Sequence, residues 1–137
     1  MPDQLQLEIV TPERRVLSES VSAVTVPGRG GEMGILPGHA PLISELQTGV
    51  LSYNEDGTVF QLHVSGGFVE VNDDRVSVLA EVAERPEEMD AASARAARDQ
   101  LEKQMSSWSG SEEDFEKART EFERSSVRLQ LASQPRG

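Results

Sequence analysis

Apolar side chains recur at every second position along the first two thirds of the chain. Leu5, Leu7 and Ile9 alternate with Gln4, Gln6 and Glu8, the period of a strand that buries one face. Val24 and Val26 end a β-branched run at Pro27. Phe60, Leu62 and Val64 repeat the period, as do Val69 and Val71, then Val76 and Val78. Asn54-Glu55-Asp56-Gly57 and Asn72-Asp73-Asp74 stand between such runs as hairpin turns. Short strands at close spacing with polar outer faces predict a β-sandwich or flattened barrel of about eight to ten strands.

Beyond Pro86 the period changes to three and four. Pro86 suits the first turn of a helix, and Glu87, Glu88 and Asp90 suit its positive end. Ala94, Ala97, Leu101, Met105 and Trp108 form an apolar stripe, which Ser109-Gly110 interrupts. Ser111-Glu112-Glu113-Asp114 resembles a capping box with Asp in place of Glu. Phe115, Phe122 and Leu129 follow at heptad spacing, each with a small residue three positions on (Ala118, Ser125, Ala132). Two such helices joined by a short loop predict an antiparallel hairpin. The expected organisation is a sandwich over residues 1–86 and a helical hairpin over 87–137. The hairpin seam is thin. At about 25 cal/mol per Å² its few large side chains supply several kcal/mol, less than the cost of ordering roughly forty residues. The hairpin is therefore expected to need a surface to lie on, and to be able to exchange one surface for another.

Composition narrows the function. The 137 residues carry 24 acidic and 13 basic side chains, a net charge of −11, and no Cys. That charge opposes binding to nucleic acid, which needs cations to displace counterions, and to anionic lipid head groups. Without Cys there is no disulfide framework, thiolate nucleophile or Cys-based zinc site. No apolar run approaches the roughly 20 residues that span a bilayer, and Met1–Gln6 lacks the pattern of a secretory signal. The expectation is a soluble intracellular protein that works through other proteins. Most of the charge sits in the sandwich segment, at −8 for residues 1–86 against −3 for 87–137.

The densest local feature is the stretch from Pro27 to Leu42, with glycines at 28, 30, 31, 34 and 38. It lacks the Gly-Lys-Ser/Thr and following helix of a phosphate loop. It is expected to be a structured loop at one end of the sandwich, with several positive φ angles, offering a platform for protein contacts. His39 and His63 are the two imidazoles. With no carboxylate cluster beside either, no metal site is expected, and His63 is out of phase with Leu62 and Val64. Ser65-Gly66-Gly67 lacks the spacing of a nucleophile elbow, and no acid–base constellation is present, so no catalytic residue is assigned. Arg124 and Arg128 stand one turn apart and call for an anion or acidic partner. On these grounds alone, one reading is a free-standing β-sandwich ligand-binding module with a fixed helical layer.

A second reading comes from resemblance. Gly31-Glu32-Met33-Gly34-Ile35-Leu36-Pro37-Gly38-His39-Ala40-Pro41-Leu42 resembles the signature of the ε subunit of rotary F-type ATP synthases. Gly49-Val50-Leu51, Gly66-Gly67-Phe68-Val69-Glu70-Val71 and Val76-Ser77-Val78-Leu79-Ala80 fit the same family. The match is collinear from about residue 4 to 132. It implies a ten-stranded sandwich followed by a helical hairpin. It implies a non-catalytic rotor subunit that joins the γ subunit to the c-ring of a proton-translocating synthase. A mobile hairpin would inhibit ATP hydrolysis in the catalytic α/β head. The resemblance places His39 on the γ-facing side and Glu32 on the loop that meets the c-ring. It makes Arg119, Arg124 and Arg128 candidates for contact with the head. Relatives that bind ATP on the folded hairpin carry Arg where this chain has Ser93, and another Arg where it has Gln100. That leaves Asp90, Arg124 and Arg128 as a depleted ATP set, so weak or absent ATP binding is expected. The implied location is the cytoplasmic face of a bacterial plasma membrane or the stromal face of a thylakoid, peripheral, without direct lipid binding.

Overall fold

The computed structural model describes residues 4–133. The chain divides between Glu84 and Arg85 into two compact units.

The first unit contains ten strands: β1 (Leu5–Val10), β2 (Arg15–Val21), β3 (Ala23–Gly28), β4 (Gly31–Ile35), β5 (Leu42–Glu45), β6 (Gly49–Glu55), β7 (Thr58–Ser65), β8 (Phe68–Asn72), β9 (Arg75–Leu79) and β10 (Val82–Glu84). They form two five-stranded sheets, in the orders β2-β1-β9-β8-β5 and β10-β7-β6-β3-β4. β1 and β9 run parallel, Gln6 opposite Arg75, while the neighbouring pairs are antiparallel. The alternating side chains meet between the sheets. Leu5, Leu7, Ile9, Val69, Val71, Val76 and Val78 from the first sheet, with Val24, Val26, Leu51, Leu62 and Val64 from the second, are buried. Each contributes about 1.5–3 kcal/mol relative to exposure. The core cluster draws all its members from Leu5 to Ala83, so the sandwich closes its own core.

Two strands differ from the sequence reading. Gly31–Ile35, expected as part of a loop, is strand β4, because pairing with β3 in register Val24↔Ile35 to Gly28↔Gly31 overrides the weak strand preference of its glycines. Of the glycines in that stretch, Gly31 and Gly38 have positive φ. β2 hides its period behind a bulge. The register shifts between Ile9↔Leu17 and Val10↔Arg15, so Val16 and Leu17 are both buried.

His63 lies on the face of β7 opposite Leu62 and Val64, as its phase requires, yet it is fully buried. Its Nδ1 is 2.8 Å from Glu84 Oε1, across the β7–β10 pair. With Nδ1–H donating to that carboxylate, Nε2 is left as an acceptor with no hydrogen-bond partner among the described residues. Such an orphan costs on the order of 1–3 kcal/mol.

The second unit begins with a 3-10 turn, Pro86–Glu88, and continues with α1 (Ala91–Ser106) and α2 (Glu112–Ala132), which pack against each other. The helix expected to start at Pro86 starts five residues later. Met89 is extended, and Asp90 is the N-cap of α1. At the turn between the helices Ser111 caps α2, its hydroxyl accepting from Asp114 N at 3.0 Å. Trp108 folds edge-on to Phe115, with ring centroids 5.7 Å apart. The α2 side of the seam follows the expected heptad, with Ser125 and Leu129 buried and Phe115, Ala118, Phe122 and Ala132 half-buried. On α1 the inward position is Arg98 rather than Ala97, which is exposed. Spacing from Ala94 to Leu101 can run through either residue, and the longer aliphatic stem takes the place. Among the described residues no helix is long and apolar enough to cross a membrane.

Candidate interaction surfaces

The outer face of the first sheet carries a row of open apolar side chains. Phe68 on β8 pairs with Leu79 on β9, and Leu79 pairs with Val10 on β1. Phe68 is 51% and Leu79 58% exposed, and Ile43, one row along on β5, is 67% exposed. Glu45 faces Phe68 across β5–β8, and Glu70 faces Ile43. Three large apolar side chains set among carboxylates on a pleated face form a surface for docking another protein. The period of two that puts Val69, Val71, Val76 and Val78 inside also puts Phe68 and Leu79 outside. The phase of β8 and β9 in the sequence therefore carries the outer face as well as the core.

His39 sits where the chain enters β5 at the edge of this sheet. Leu36-Pro37-Gly38-His39 is a type II turn: His39 N donates to Leu36 O at 3.1 Å, Pro37 presets the second position, and Gly38 takes φ +86. Gly38 N donates to Asp74 Oδ1 at 2.7 Å, which pins the turn to the β8–β9 hairpin. The imidazole Nδ1 is 2.6 Å from Ala40 O, so Nδ1 carries the proton and Nε2 is left for a partner. His39 is half-buried.

Glu32 is exposed on β4, opposite Pro27. It lies beside the Arg29-Gly30 turn at the other end of the sandwich from His39. The turn is braced. Arg29 Nη1 meets Glu45 Oε2 at 2.7 Å, Arg29 N donates to Glu45 O at 3.0 Å, and Gln47 Nε2 donates to Arg29 O at 3.0 Å. The carboxylate of Glu32 therefore stands on a corner of fixed direction.

In the second unit, Arg119 is held by its own helix. Its guanidinium reaches Glu116 Oε2 at 2.7 Å and Glu123 Oε1 at 2.9 Å. Glu116 first, then Glu123, raise its pKa. Arg124 reaches Glu121 Oε1 at 3.0 Å, and its side chain is 16% exposed. Arg128 is half-buried. At 3.6 residues per turn Arg124 and Arg128 are about 40° apart, while Arg119 is about 140° from Arg124. The helix thus groups Arg124 with Arg128 and sets Arg119 on another face.

Asp90 is committed to capping. Oδ1 accepts from Ala92 N at 3.0 Å and Oδ2 from the Ser93 hydroxyl at 2.9 Å. The Ser93 hydrogen bond, followed by the backbone N–H groups of Ala92 and Ser93, holds its carboxyl below the usual range. Among the described residues no three His, Cys, Asp or Glu side chains converge on a metal-sized site.

The profile of the family described as "ATP synthase, Delta/Epsilon chain, beta-sandwich domain" matches residues 4–86. The ATP synthase epsilon chain of Pelotomaculum thermopropionicum is 51% identical over 106 residues, covering 77% of this chain and 79% of that one. That of Geotalea uraniireducens is 40% identical over 133 residues, covering 97% and 96%. Among solved structures, a chain of the Euglena gracilis mitochondrial ATP synthase, from a complex of OSCP, F1 and c-ring, superposes with TM-score 0.83 at 28% identity. It covers 98% of this chain and 84% of that one. A chain of the Tetrahymena thermophila mitochondrial ATP synthase central stalk and c-ring, at TM-score 0.65 and 16% identity, shares the fold. A ten-stranded sandwich followed by a helical hairpin, with relatives matched over nearly their full length, establishes that this chain belongs to the ATP synthase epsilon-chain family.

Proposed function

We propose that this chain is a non-catalytic central-stalk subunit of a proton-translocating F-type ATP synthase, held at the membrane surface through the complex. The sandwich is the docking unit. The γ subunit lies along the outer face of the first sheet, from His39 past Ile43 to Phe68 and Leu79. Glu32, on the braced corner, faces the c-ring. The helical unit is a regulatory arm that inhibits ATP hydrolysis when it reaches the catalytic α/β head, where Arg124 and Arg128 meet acidic residues and Arg119 adds a contact on a second face. The complex resides at the cytoplasmic face of a bacterial plasma membrane or the stromal face of a thylakoid.

The observation that carries this reading is the exposed apolar pair Phe68–Leu79, with half-buried Val10 beside it, on a unit whose own core is complete. Replacing Phe68 and Leu79 by Thr should leave the melting curve of the isolated chain within about 1 kcal/mol of the parent, because both side chains already face outward and Thr keeps the strand preference. The same pair should weaken recovery of γ from detergent-solubilised membranes by about 30-fold or more, the effect of losing a central apolar anchor. Undiminished recovery of γ would move the docking surface elsewhere.

ATP binding to the isolated chain should be weak. Phosphates are held by cations, and Ser93 and Gln100 supply none. Asp90 is already engaged by Ala92 and Ser93. Calorimetric titration with ATP should show no micromolar site, and restoring arginine with Ser93→Arg and Gln100→Arg should strengthen binding by an order of magnitude or more. Micromolar binding by the parent chain would contradict this account.

A further inference from the structure

Strand β10 pairs with β7 over three residues, Val82↔Ser65, Ala83↔Val64 and Glu84↔His63. The first half of β7, Thr58–Gln61, has β6 on one side and, among the described residues, no strand on the other. Glu55 and Thr58 close a two-residue hairpin, with Asp56 and Gly57 both at positive φ. That geometry makes Glu55–Thr58 a hydrogen-bonded pair, so the ladder alternates from there. Thr58 and Phe60 turn their N–H and C=O groups toward β6, and Val59 and Gln61 turn theirs to the open side.

This edge is apolar and accessible. Val59 is 60% and Phe60 42% exposed, and the Phe60 ring is held in place by stacking on Tyr53 at a centroid distance of 5.2 Å. Soluble proteins blunt such edges with Lys, Pro, a bulge or a covering element. Thr58-Val59-Phe60-Gln61 contains neither Lys nor Pro. Its surroundings are acidic: Glu55 and Asp56 occupy the adjoining turn, and the Glu19 carboxyl on β2 lies beside Glu55. Desolvation first, then the Glu19 and Asp56 carboxyls, hold the Glu55 carboxyl above the usual range.

We propose that the Thr58–Gln61 edge accepts an extended, Lys- or Arg-bearing segment of a partner chain as an added strand of the second sheet. Backbone bonds form to Val59 and Gln61, an apolar side chain of the segment covers Phe60, and its cation rests beside Glu55 and Asp56. A second copy of this chain is disfavoured as the occupant. Its own Thr58–Gln61 edge carries no cation to place against these carboxylates. The inference rests on the central-stalk reading in one respect, that the segment belongs to the synthase complex.

Amide hydrogen exchange on the full-length chain, free and within the purified synthase, tests it. Exchange is quenched in each state and read residue by residue. Val59 and Gln61 should exchange at least about tenfold more slowly in the complex, while Thr58 and Phe60, already bonded to β6, change little. Val59→Lys should abolish this protection and leave the free chain's melting temperature unchanged. Equal exchange at Val59 and Gln61 in both states overturns the proposal, as does protection that grows with concentration in the free chain, which would mark self-pairing. Should the chain fail to assemble with γ at all, the central-stalk reading fails instead. The edge is then tested with the probe acetyl-Arg-Val-Thr-Val-Arg-Thr-amide against its counterpart with Glu in place of Arg. Slowed exchange at Val59 and Gln61 with the basic probe alone supports the edge, and no slowing with either overturns it.

Discussion

Replacing Gly67 by Ala should cost the sandwich about 3–4 kcal/mol, a fall in melting temperature of roughly 12–30 °C for a unit of this size. Gly66 and Gly67 carry the chain from β7 in one sheet to β8 in the other, at φ +72 and +91. Left-handed backbone alone costs an L-residue about 1–2 kcal/mol. At Gly67 a methyl would also run into the carbonyl oxygen of Leu79 and lie 2.9 Å from Ala80 Cα. Both obstacles are backbone, so no side chain can swing away. The crossing also holds β5, since Leu46 N donates to Gly67 O at 2.9 Å. Gly38→Ala is the matched control. Its φ is +86, yet a methyl there meets nothing within 4 Å, so the backbone penalty of about 1–2 kcal/mol should be the whole effect. Thermal melts of the two variants separate strain from collision. Equal losses would remove the collision from the account.

Deleting residues 88–137 should leave a folded sandwich that still recovers γ, and should raise ATP hydrolysis by the assembled head. The sandwich survives because its core cluster ends at Ala83. Hydrolysis rises if the arm is the brake. An arm holding the inhibitory position nine-tenths of the time would release about a tenfold increase. The arm is suited to changing position because few of its side chains are fully buried. On α1 the buried residue is Ala94, and on α2 they are Ser125, Leu129 and Leu131. Unchanged hydrolysis by the reconstituted complex would refute the regulatory role. Reversing charge with Arg124→Glu and Arg128→Glu should reproduce part of the increase while leaving γ recovery intact. Arg119→Glu alone should have a smaller effect, since it lies about 140° around the helix from Arg124, off the face that Arg124 shares with Arg128.

Much of the architecture could be read from period alone. Leu5, Leu7 and Ile9, and the Val69–Val71 and Val76–Val78 pairs, are inside as the alternation requires, because a strand with one buried face leaves little choice. The α2 seam from Phe115 to Ala132 was equally visible. The period failed where a second constraint intervened. In β2 a bulge buries Val16 and Leu17 side by side. In β4 glycines hide a strand that exists only through its pairing with β3. At Pro86 the expected helix yields to a 3-10 turn, and Asp90 provides the true cap. The face of His63 follows from its phase, but its bond to Glu84 comes from a strand twenty-one residues further along the chain. The surfaces were harder to read than the core. Exposure of Phe68 and Leu79 follows from phase, whereas the bracing of Glu32 through Arg29, Glu45 and Gln47 joins segments that sequence spacing does not connect.

The parallel pairing of β1 with β9 has a bearing on biosynthesis. β1 lies between β2 and β9, so this early strand must wait for residues 75–79 before its sheet can be completed. Contacts of such long sequence separation make the sandwich a comparatively slow folder, on a scale of milliseconds to seconds. Roughly fifty residues of the helical unit then remain to be synthesised after Glu84, and at about 5–20 residues per second they take several seconds. All residues of the sandwich are therefore synthesised several seconds before the last residues of the arm. Each new subunit can thus have the whole sandwich, with the face proposed for γ, synthesised while the proposed regulatory segment is still being made.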